Sequence, residues 1–443
     1  MFYLSKDSEL DTKTLTTIIS HFATSVLPTL RRNKEYYDGI QAISGKQYAD
    51  SNKKAVKAVT NFCKDITDSY CGYIASPGYI SYRSRENIEQ LMDILRYNDY
   101  QTEDADFLLN ALIYGTAAEL MFTDAAAKVR FKLINPTQCF GIYDNTLTEE
   151  LLYFVRFYKE NQWSDTDDYI VDVYNDSTIK HYKMIGIGGS IEFIDEEPHY
   201  FNQVPANIFS LADEKSVYDC ILSLQDAYNE LLSDDIDDYA AFFDAYLALY
   251  GVDAEEEDIA AMKKNRVLVL PNDAKTEWVT KNLSDVQVEN LLQRVEKSIY
   301  KVAHCPDFSS ESFVNGVSSG IAIQYRLTGM ETRAAKIVAE MKEALLHRVE
   351  IICGIATLTI GEEVFSDVDI EFQRNIPVDT NSVVQMVNSL RGLVSDATLL
   401  GQIDFVSDVN AELEAVKEQN SNNFSLYDFV AADYPDDDEK ELD

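Results

Sequence analysis

The stretch SFVNGVSSGIAIQYRLTGM, residues 312–330, places a polar loop directly before a long apolar helix pattern. Its first half consists largely of Ser, Asn and Gly, which favour loops. From Ile321 onward apolar residues recur at helical spacing, and Ser318 or Ser319 is placed to cap the helix. We predict a helix from residue 319 to Cys353, roughly 50 Å long at ~1.5 Å per residue. The sequence therefore predicts a polar loop followed directly by a long helix.

The segment before this loop is strongly acidic. Residues 226–258 contain twelve Asp and Glu and no Lys or Arg. Apolar and aromatic residues keep helical spacing from Tyr218 to Leu247, which predicts one long helix ending at Gly251, acidic on one side and apolar on the other. The chain that follows predicts a short helix over Glu255–Lys263, strands at Arg266–Leu270 and Glu277–Thr280, and a helix over Val286–Ala303.

The remaining chain predicts an α+β fold that is mostly helical. Helices are expected over Asp11–Tyr37, Lys54–Tyr70, Asn87–Tyr97 and Thr102–Tyr114. An antiparallel β-rich part is expected at Ala117–Phe122, Lys128–Leu133, Leu151–Tyr158, Asp168–Tyr174 and Lys180–Met184. After the long helix we expect a strand at Val368–Arg374 and short helices at Asn381–Arg391, Asp396–Leu400 and Asp408–Lys417.

Charge and composition restrict the class of partner. The 38 Lys and Arg against 76 Asp and Glu give a net charge of −38, which opposes ordinary adhesion to DNA or anionic membranes. The six cysteines stand singly and indicate reduced, buried thiols. The first residues, MFYLSKDSELDTK, are too polar for a signal peptide, and the apolar run near Ile351–Ile360 is too short to cross a bilayer. We expect no membrane partner and a reducing cytoplasm as the place of synthesis.

No motif predicts catalysis. Ser44-Gly45-Lys46 is followed by Gln47 and lacks the upstream glycine of a phosphate-binding loop. The sequence has no H-E-x-x-H and no G-x-S-x-G, and its acid-rich helix lacks the mixed strand and loop setting typical of a two-metal site. We therefore predict no catalytic, cofactor-binding or metal-binding residue and no enzymatic activity.

A set of motifs occurs in an order that resembles the portal proteins of tailed bacteriophages, in particular the family found in long-tailed phages of Gram-positive hosts. The resemblance runs from EYYDG (Glu35–Gly39) to the helices ending near Lys417. It rests on NFCKDITDSYCGYI (Asn61–Ile74), LIYGTAAELMF (Leu112–Phe122), INPTQCFGIYD (Ile134–Asp144), FVNGVSSGIAIQYRL (Phe313–Leu327) and NIPVDTNSVVQMVNSLRGLVSDATLLGQIDFVSD (Asn375–Asp408).

The resemblance implies a portal architecture with a wing, a stem, a clip and a crown in an oligomeric ring. Carried onto this chain, it implies a wing at 1–216, stem helix 1 at 217–251, a clip at 252–285, stem helix 2 at 286–305, a tunnel loop at 306–318, a long channel-side helix at 319–356, a wing return strand at 357–380, and a crown with an acidic tail at 381–443.

The resemblance also implies a function. Twelve copies would form a ring at one capsid vertex, through which double-stranded DNA is packaged and ejected, with the protein located in the virion after synthesis in the host bacterial cytoplasm. The implied partners are other copies of the chain, the DNA, the terminase large subunit, the major capsid and scaffolding proteins, and a head-completion or adaptor protein. ATP hydrolysis would belong to the terminase, so no cofactor is expected.

Three groups of site residues follow. The tunnel loop, expected to touch DNA, contains Asp307, Phe308, Ser309, Ser310, Glu311, Ser312, Phe313, Val314, Asn315 and Gly316. The acidic stem face contains Asp234, Asp235, Asp237 and Asp238; the sequence leaves open which stem face lines the bore. Candidate clip contacts to partners are Lys263, Lys264, Arg266, Lys275 and Trp278. An equally good explanation is that these residues balance the negative charge of the neighbouring acids.

Two other classes of function are weighed against the portal. A metal-dependent enzyme acting on nucleic acid would gather its carboxylates in a pocket. An acidic DNA-mimic binding protein would compete with DNA for a basic partner. Ring-shaped particles with a central hole would separate the portal from both.

Overall fold

The computed structural model describes residues 1–6, 8–47, 55–76, 78–161, 163, 168–243, 246–250, 275–279, 285–310, 320–355, 367–374, 380–401, 403, 406, 409, 412–417 and 419. Two units are distinguished. One contains Met1–Asp307 and Leu327–Asn375, and the other contains Phe308–Arg326 and Ile376–Asp443. Helices and mainly antiparallel sheets both contribute, which confirms the α+β class.

The helices are α1 (Thr12–His21), α2 (Leu27–Tyr37), α3 (Phe62–Ile74), α4 (Glu89–Tyr97), α5 (Tyr100–Tyr114), α6 (Leu222–Phe243), α7 (Asp285–Ala303), α8 (Gly320–Cys353), α9 (Thr380–Leu390) and α10 (Asp396–Leu400). The strands are β1 (Phe2–Leu4), β2 (Ile80–Arg83), β3 (Thr116–Thr123), β4 (Val129–Ile134), β5 (Cys139–Asp144), β6 (Leu151–Lys159), β7 (Asp168–Tyr174), β8 (Thr178–Ile185), β9 (Ile191–Pro198), β10 (Ala206–Ser210), β11 (Tyr246–Tyr250), β12 (Lys275–Val279) and β13 (Asp369–Phe372).

The first helical run is interrupted where its sequence contains proline. The Asp11 carboxylate accepts a hydrogen bond from the Thr14 amide at 2.7 Å and caps α1. Residues Phe22–Val26 form a π-helical segment, and α2 begins immediately after it with Pro28 in its first turn. Proline has no amide hydrogen, so a change in helix type before it loses no further bond.

The main core lies between these helices and a six-stranded sheet of order β1-β5-β6-β7-β8-β9. Ile19 and Phe22 pack with Ile142, Val155 and Val171 from its central strands, all fully or almost fully buried. A three-stranded sheet of order β10-β3-β4 follows α5. The turn between α5 and β3 requires Gly115, whose φ is +85° and whose added Cβ would lie 2.3 Å from the Glu214 carbonyl oxygen.

The elements around the loop agree with the sequence in part. Helix α7 and helix α8 have the predicted extents, although Ser318 and Ser319 lie outside the described residues. The strand predicted at Val368–Arg374 is β13, which pairs antiparallel with β2. In the second unit α9 and α10 are present, and Ser395 caps α10 by accepting from the Thr398 amide. The described residues of the last predicted helix, 409 and 412–417, are helical.

Two secondary-structure predictions are wrong. The long acidic helix ends at Phe243, and Tyr246–Tyr250 forms β11, which pairs antiparallel with β12. The run YLALY has no polar residue to set a period, so its sequence fits a strand as well as a helix. Residues 55–61, predicted as the start of a helix, are not helical, and α3 begins at Phe62. The predicted elements at Glu255–Lys263 and Arg266–Leu270 lie outside the described residues.

Candidate functional site

The polar loop begins at a well-defined helix end. At the C-terminus of α7 the His304 amide donates to the Lys301 carbonyl at 3.3 Å, and the Cys305 amide donates to the Tyr300 carbonyl at 3.1 Å. His304 has a φ of +55°. These are the two bonds and the left-handed residue of a Schellman motif, which ends a helix and pairs its last carbonyl groups. We call residues 303–307 the loop root.

Two side chains from distant segments bind the carbonyl groups of the loop root. The Tyr70 hydroxyl, on α3, donates to the carbonyls of Ala303 at 3.0 Å and His304 at 3.1 Å. Arg333, on α8, donates from Nη1 to the Ala303 carbonyl at 3.1 Å and from Nη2 to the Val217 carbonyl at 2.7 Å. The loop root is therefore fixed to both α3 and α8.

A second arginine connects the segment after β13 to α8. Arg374, two residues after β13, donates to the Glu331 carboxylate from Nε at 2.9 Å and Nη2 at 3.0 Å. The Tyr73 hydroxyl donates to the same carboxylate at 2.6 Å. Burial alone would raise the pKa of Glu331, but these hydrogen bonds from Arg374 and Tyr73 outweigh it and lower that pKa.

A third arginine on α8 lies in the core. Arg348 is fully buried, and its guanidinium pairs with Asp104 and, through Nε at 2.7 Å, with Glu119. The Tyr82 hydroxyl donates to Asp104 at 2.9 Å, and the Asn207 amide donates to Glu119 at 2.6 Å. Burial raises the pKa of Asp104, while Arg348 acts in the opposite direction. This cluster, the Arg348 cluster, fixes α8 to α5, β3, β10 and β2.

The non-helical segment 55–61 lies along α6 and is held by its backbone. Four alternate amides donate to four side chains spaced by four residues on α6: Val56 to Asp237 at 3.1 Å, Ala58 to Ser233 at 3.0 Å, Thr60 to Asn229 at 3.0 Å and Phe62 to Gln225 at 3.0 Å. The Gln225 amide also donates to the Thr60 carbonyl at 2.6 Å. Because the amides of 56, 58 and 60 bind side chains, this segment has no need of a helical bond pattern. We call this arrangement the amide ladder.

The predicted acidic stem face contributes to the same contact. Lys46 pairs with Asp234 at 2.6 Å and with Asp237 at 3.4 Å. Asp234 and Asp237 thus contact the N-terminal part of their own chain, while Asp235 and Asp238 lie partly exposed on α6. The assignment of all four acids to a channel wall stays a prediction.

The other predicted site residues are only partly described. Asp307, Phe308, Ser309 and Ser310 follow the loop root, but Glu311, Ser312, Phe313, Val314, Asn315 and Gly316 lie outside the described residues. Of the clip candidates, Lys263, Lys264 and Arg266 lie outside them as well. Trp278 and Lys275 belong to β12, opposite Leu247 and Tyr250 in the backbone pairing.

A cavity of about 650 Å³ lies beside α8 and is strongly acidic. Its lining includes Glu149, Glu150, Glu340, Glu343 and Glu350. Glu150 pairs with Lys6 at 2.7 Å, and Glu350 accepts from His347 at 3.1 Å. Within the part of the chain that the structure describes, no three His, Cys, Asp or Glu side chains form a group that could hold a metal ion, and no helix is long and apolar enough to span a membrane.

The residues that hold this framework together are hard to recognise from the sequence. Arg333 and Tyr70 had no signal beyond their residue type. Glu119 had one, because it is the single charged residue in the apolar run AAELMF, whereas Arg348 stands beside His347 and near Glu350 and had none. A charge in such a run is expected only where a partner compensates it.

Comparison with known proteins gives one family. The family model described as phage portal protein, SPP1 Gp6-like, matches residues 17–424 of the 443-residue chain. No curated protein matches the chain.

Proposed function

The chain belongs to the SPP1 Gp6-like family of phage portal proteins, whose members are structural and not catalytic, and from this premise we propose that it forms a ring at one vertex of the capsid. The ring would contain twelve copies, and double-stranded DNA would pass through it during packaging and ejection. The observation that carries the proposal is the match over residues 17–424, which takes in the second half of α1, all of α2–α10 and every strand but β1.

The arrangement of α6 and α7 supports a stem. The two helices pack against each other. Between them in sequence, β12 of the proposed clip pairs with β11, which lies at the end of the segment 217–251 proposed as stem helix 1. At their base Phe62 makes edge contacts with Tyr228 of α6 and Tyr300 of α7, with ring centroids 5.0 and 5.7 Å apart. We assign the wing to 1–216 and 357–380, the stem to 217–251 and 286–305, the clip to 252–285, the tunnel loop to 306–318, the long helix to 319–356 and the crown to 381–443.

Exposed apolar side chains on the stem support assembly. Ile236 and Tyr239 on α6 are each 38% exposed, and Leu291 and Val286 on α7 are 41% and 70% exposed. A contiguous patch of exposed apolar side chains is typical of a surface that another protein covers, and we propose that these four side chains belong to such a patch. A neighbouring copy is the partner we propose, since identical head-to-tail interfaces close into rings.

The charge of the chain supports passage rather than binding of DNA. Copies that each carry −38 would line a channel that repels phosphates at short range. Salt screens this repulsion beyond ~8–10 Å, so it acts only at the wall. We propose the acidic residues of α6 as part of that wall and the tunnel loop as a finger that touches DNA without a cationic side chain.

The remaining partners are proposed from the family. The clip, with Lys263, Lys264, Arg266, Lys275 and Trp278, would dock the terminase large subunit and the head-completion or adaptor protein. The wing would contact the major capsid and scaffolding proteins. The protein would be located at the portal vertex of the virion, after synthesis in the host bacterium.

Electron microscopy of the purified protein tests the assembly. Rings of twelve or thirteen subunits with a central hole are expected. A monodisperse small species, even at high concentration and with capsid protein present, would overturn the proposal.

A loop deletion tests the tunnel. Removal of Ser309–Gly316 should leave rings intact and impair DNA packaging or retention. Loss of assembly instead would make this segment a subunit interface.

A charge reversal tests the channel wall. Asp235→Lys with Asp238→Lys spares the Lys46 contacts of Asp234 and Asp237, so the amide ladder stays bonded. DNA passage should slow if these two acids face the bore. An unchanged packaging rate would place them on the outside of the stem.

A further inference from the structure

We infer that Arg333 positions the loop root by joining three segments of the chain: its own helix α8 and the two segments whose carbonyl groups it binds. The expected effect of Arg333 on DNA handling rests on the proposed portal function. Its effect on the position of residues 303–307 does not depend on that function.

The contacts of Arg333 define a three-way junction. Val217 lies at the proposed start of the stem, five residues before α6, and Ala303 is the last residue of α7. One guanidinium binds both carbonyls, at 2.7 Å and 3.1 Å, from a position on α8. The segment entering the stem, the segment leaving it and the helix after the loop are therefore held together by a single side chain.

The chemistry of the junction selects arginine. A guanidinium directs several N–H groups in one rigid plane, so it reaches two carbonyls at once, whereas a lysine ammonium is a point charge on a flexible stem. The guanidinium also lies 5.5 Å from the centre of the Tyr70 ring, whose hydroxyl binds the same Ala303 carbonyl. A cation at the C-terminus of α7 is further favoured by the helix dipole.

The acceptors have little access to water. Val217 and Ala303 are fully buried, so solvent cannot replace a lost donor at either carbonyl. A rotation of α8 about its axis would have to break both bonds. The loop root and the part of α8 from Leu327 onward are thus expected to move as one body, and a displacement of α8 would move the start of the loop.

Arg374 provides a matched control. It also lies near a tyrosine ring, 5.7 Å from the centre of Tyr73, and it also makes two hydrogen bonds to one element of α8, through Glu331. Glu331 precedes Arg333 by two residues, so Arg374 binds the same turn of α8 on which Arg333 lies. Arg374 makes no hydrogen bond to the loop root among the described residues.

Hydrogen exchange of the purified protein, whether or not it forms rings, tests the inference at the amides of His304 and Cys305, which form the Schellman bonds. Arg333→Met should accelerate their exchange by about tenfold or more, because local opening no longer breaks two charge-assisted bonds. Arg333→Lys keeps the charge and should lie between wild type and Arg333→Met. Arg374→Met should leave both amides unchanged and accelerate exchange in β13.

DNA retention in packaged heads gives the second readout. Arg333→Met rings should form normally and lose packaged DNA more readily than Arg374→Met rings, with partial rescue by Arg333→Lys. If exchange at His304 and Cys305 does not change, or rises equally in both methionine variants, the positioning role is overturned. If exchange rises at the loop root and DNA retention is normal, its role in DNA handling is overturned. Absence of rings from the wild-type protein would overturn the proposed function, and the exchange result would still decide the role of Arg333.

Discussion

Two arginines on α8, fifteen residues apart, bind different kinds of acceptor, one charged and one neutral. Arg348 is fully buried and pairs with two carboxylates, those of Asp104 and Glu119. Arg333 is partly exposed and binds two backbone carbonyls, those of Val217 and Ala303. Carboxylates carry charge that must be neutralised in the core, whereas carbonyls carry only a dipole. The first site is therefore expected to govern stability and the second to govern local geometry.

The largest effect is expected from Arg348→Met. The substitution leaves two carboxylates buried without their cation, and removal of one partner from a buried pair costs about 3–5 kcal/mol. Urea unfolding should show this loss. Adding Asp104→Asn and Glu119→Gln should recover part of it, because the stranded charges are then removed. A loss below about 1 kcal/mol would show that these carboxylates do not depend on the arginine, and the contrast with Arg333 would fail.

A smaller effect is expected from Asn229→Ala, which removes one rung of the amide ladder. The Asn229 side chain accepts from the Thr60 amide at 3.0 Å and donates to Gln41 at 2.5 Å, and it is fully buried. Leaving such neutral groups unpaired costs about 1–3 kcal/mol. The same unfolding measurement should place this variant between wild type and Arg348→Met. A loss equal to that of Arg348→Met would mean that neutral backbone partners matter as much as charges here.

A pH-dependent effect is expected where the cation is a histidine. His181 Nδ1 lies 2.8 Å from the buried Asp172 carboxylate, while burial alone would lower the pKa of His181. The bond to Asp172 and the nearby Asp195 and Glu197 reverse this and raise that pKa above its usual 6.5. A raised histidine pKa contributes stability that is fully present below pH 6.5 and is lost as pH rises through the raised value.

The measurement is unfolding at a series of pH values for wild type and His181→Gln. The wild type should lose stability above pH 6.5, and the variant should lack this decline. The difference should stay below about 1 kcal/mol, because His181 is partly solvated. An identical pH profile for the two proteins would mean that folding does not raise the pKa of His181.

The smallest effect is expected from His304→Gly at the loop root. A non-glycine residue at a φ of +55° costs about 1–2 kcal/mol, but glycine loses more chain entropy on folding. The net gain in the free energy of unfolding should be a few tenths of a kcal/mol up to about 1. Thermal unfolding checks it. A clear destabilisation would show that the His304 side chain itself holds the junction.

Much of the fold could be predicted because its helices carry a local signal. Residues 320–353 and 285–303 repeat apolar side chains at helical spacing, and the structure has helices there. The start of α3 was misplaced because Val56 and Val59 imitate that spacing, while the competing bonds come from α6, about 170 residues away in sequence. No local pattern reports a partner at that distance.

The candidate site was less predictable for the same reason. The acidic side of α6 could be recognised, but no pattern in the sequence indicates that its polar residues Gln225, Asn229 and Ser233 bind a second segment. Likewise, Arg333 acquires a role only when Val217 and Ala303 come together. Composition identifies charge, and only the fold identifies its partner.

The amide ladder matches the spacing of every fourth side chain on α6 to the spacing of every second amide in segment 55–62. Four residues of helix rise ~6.0 Å and two residues of extended chain rise ~6.6–6.8 Å, so over the three intervals of the ladder the mismatch accumulates to only ~2 Å, which side chains can absorb. What α6 recognises is the interval between amides and not the identity of the residues that carry them. The residue types of segment 55–62 are thus free to vary, whereas its length is constrained. Loss of a single residue would turn the bonded amides away from α6 and the alternate amides toward it. Loss of two residues would return the original set of amides to α6.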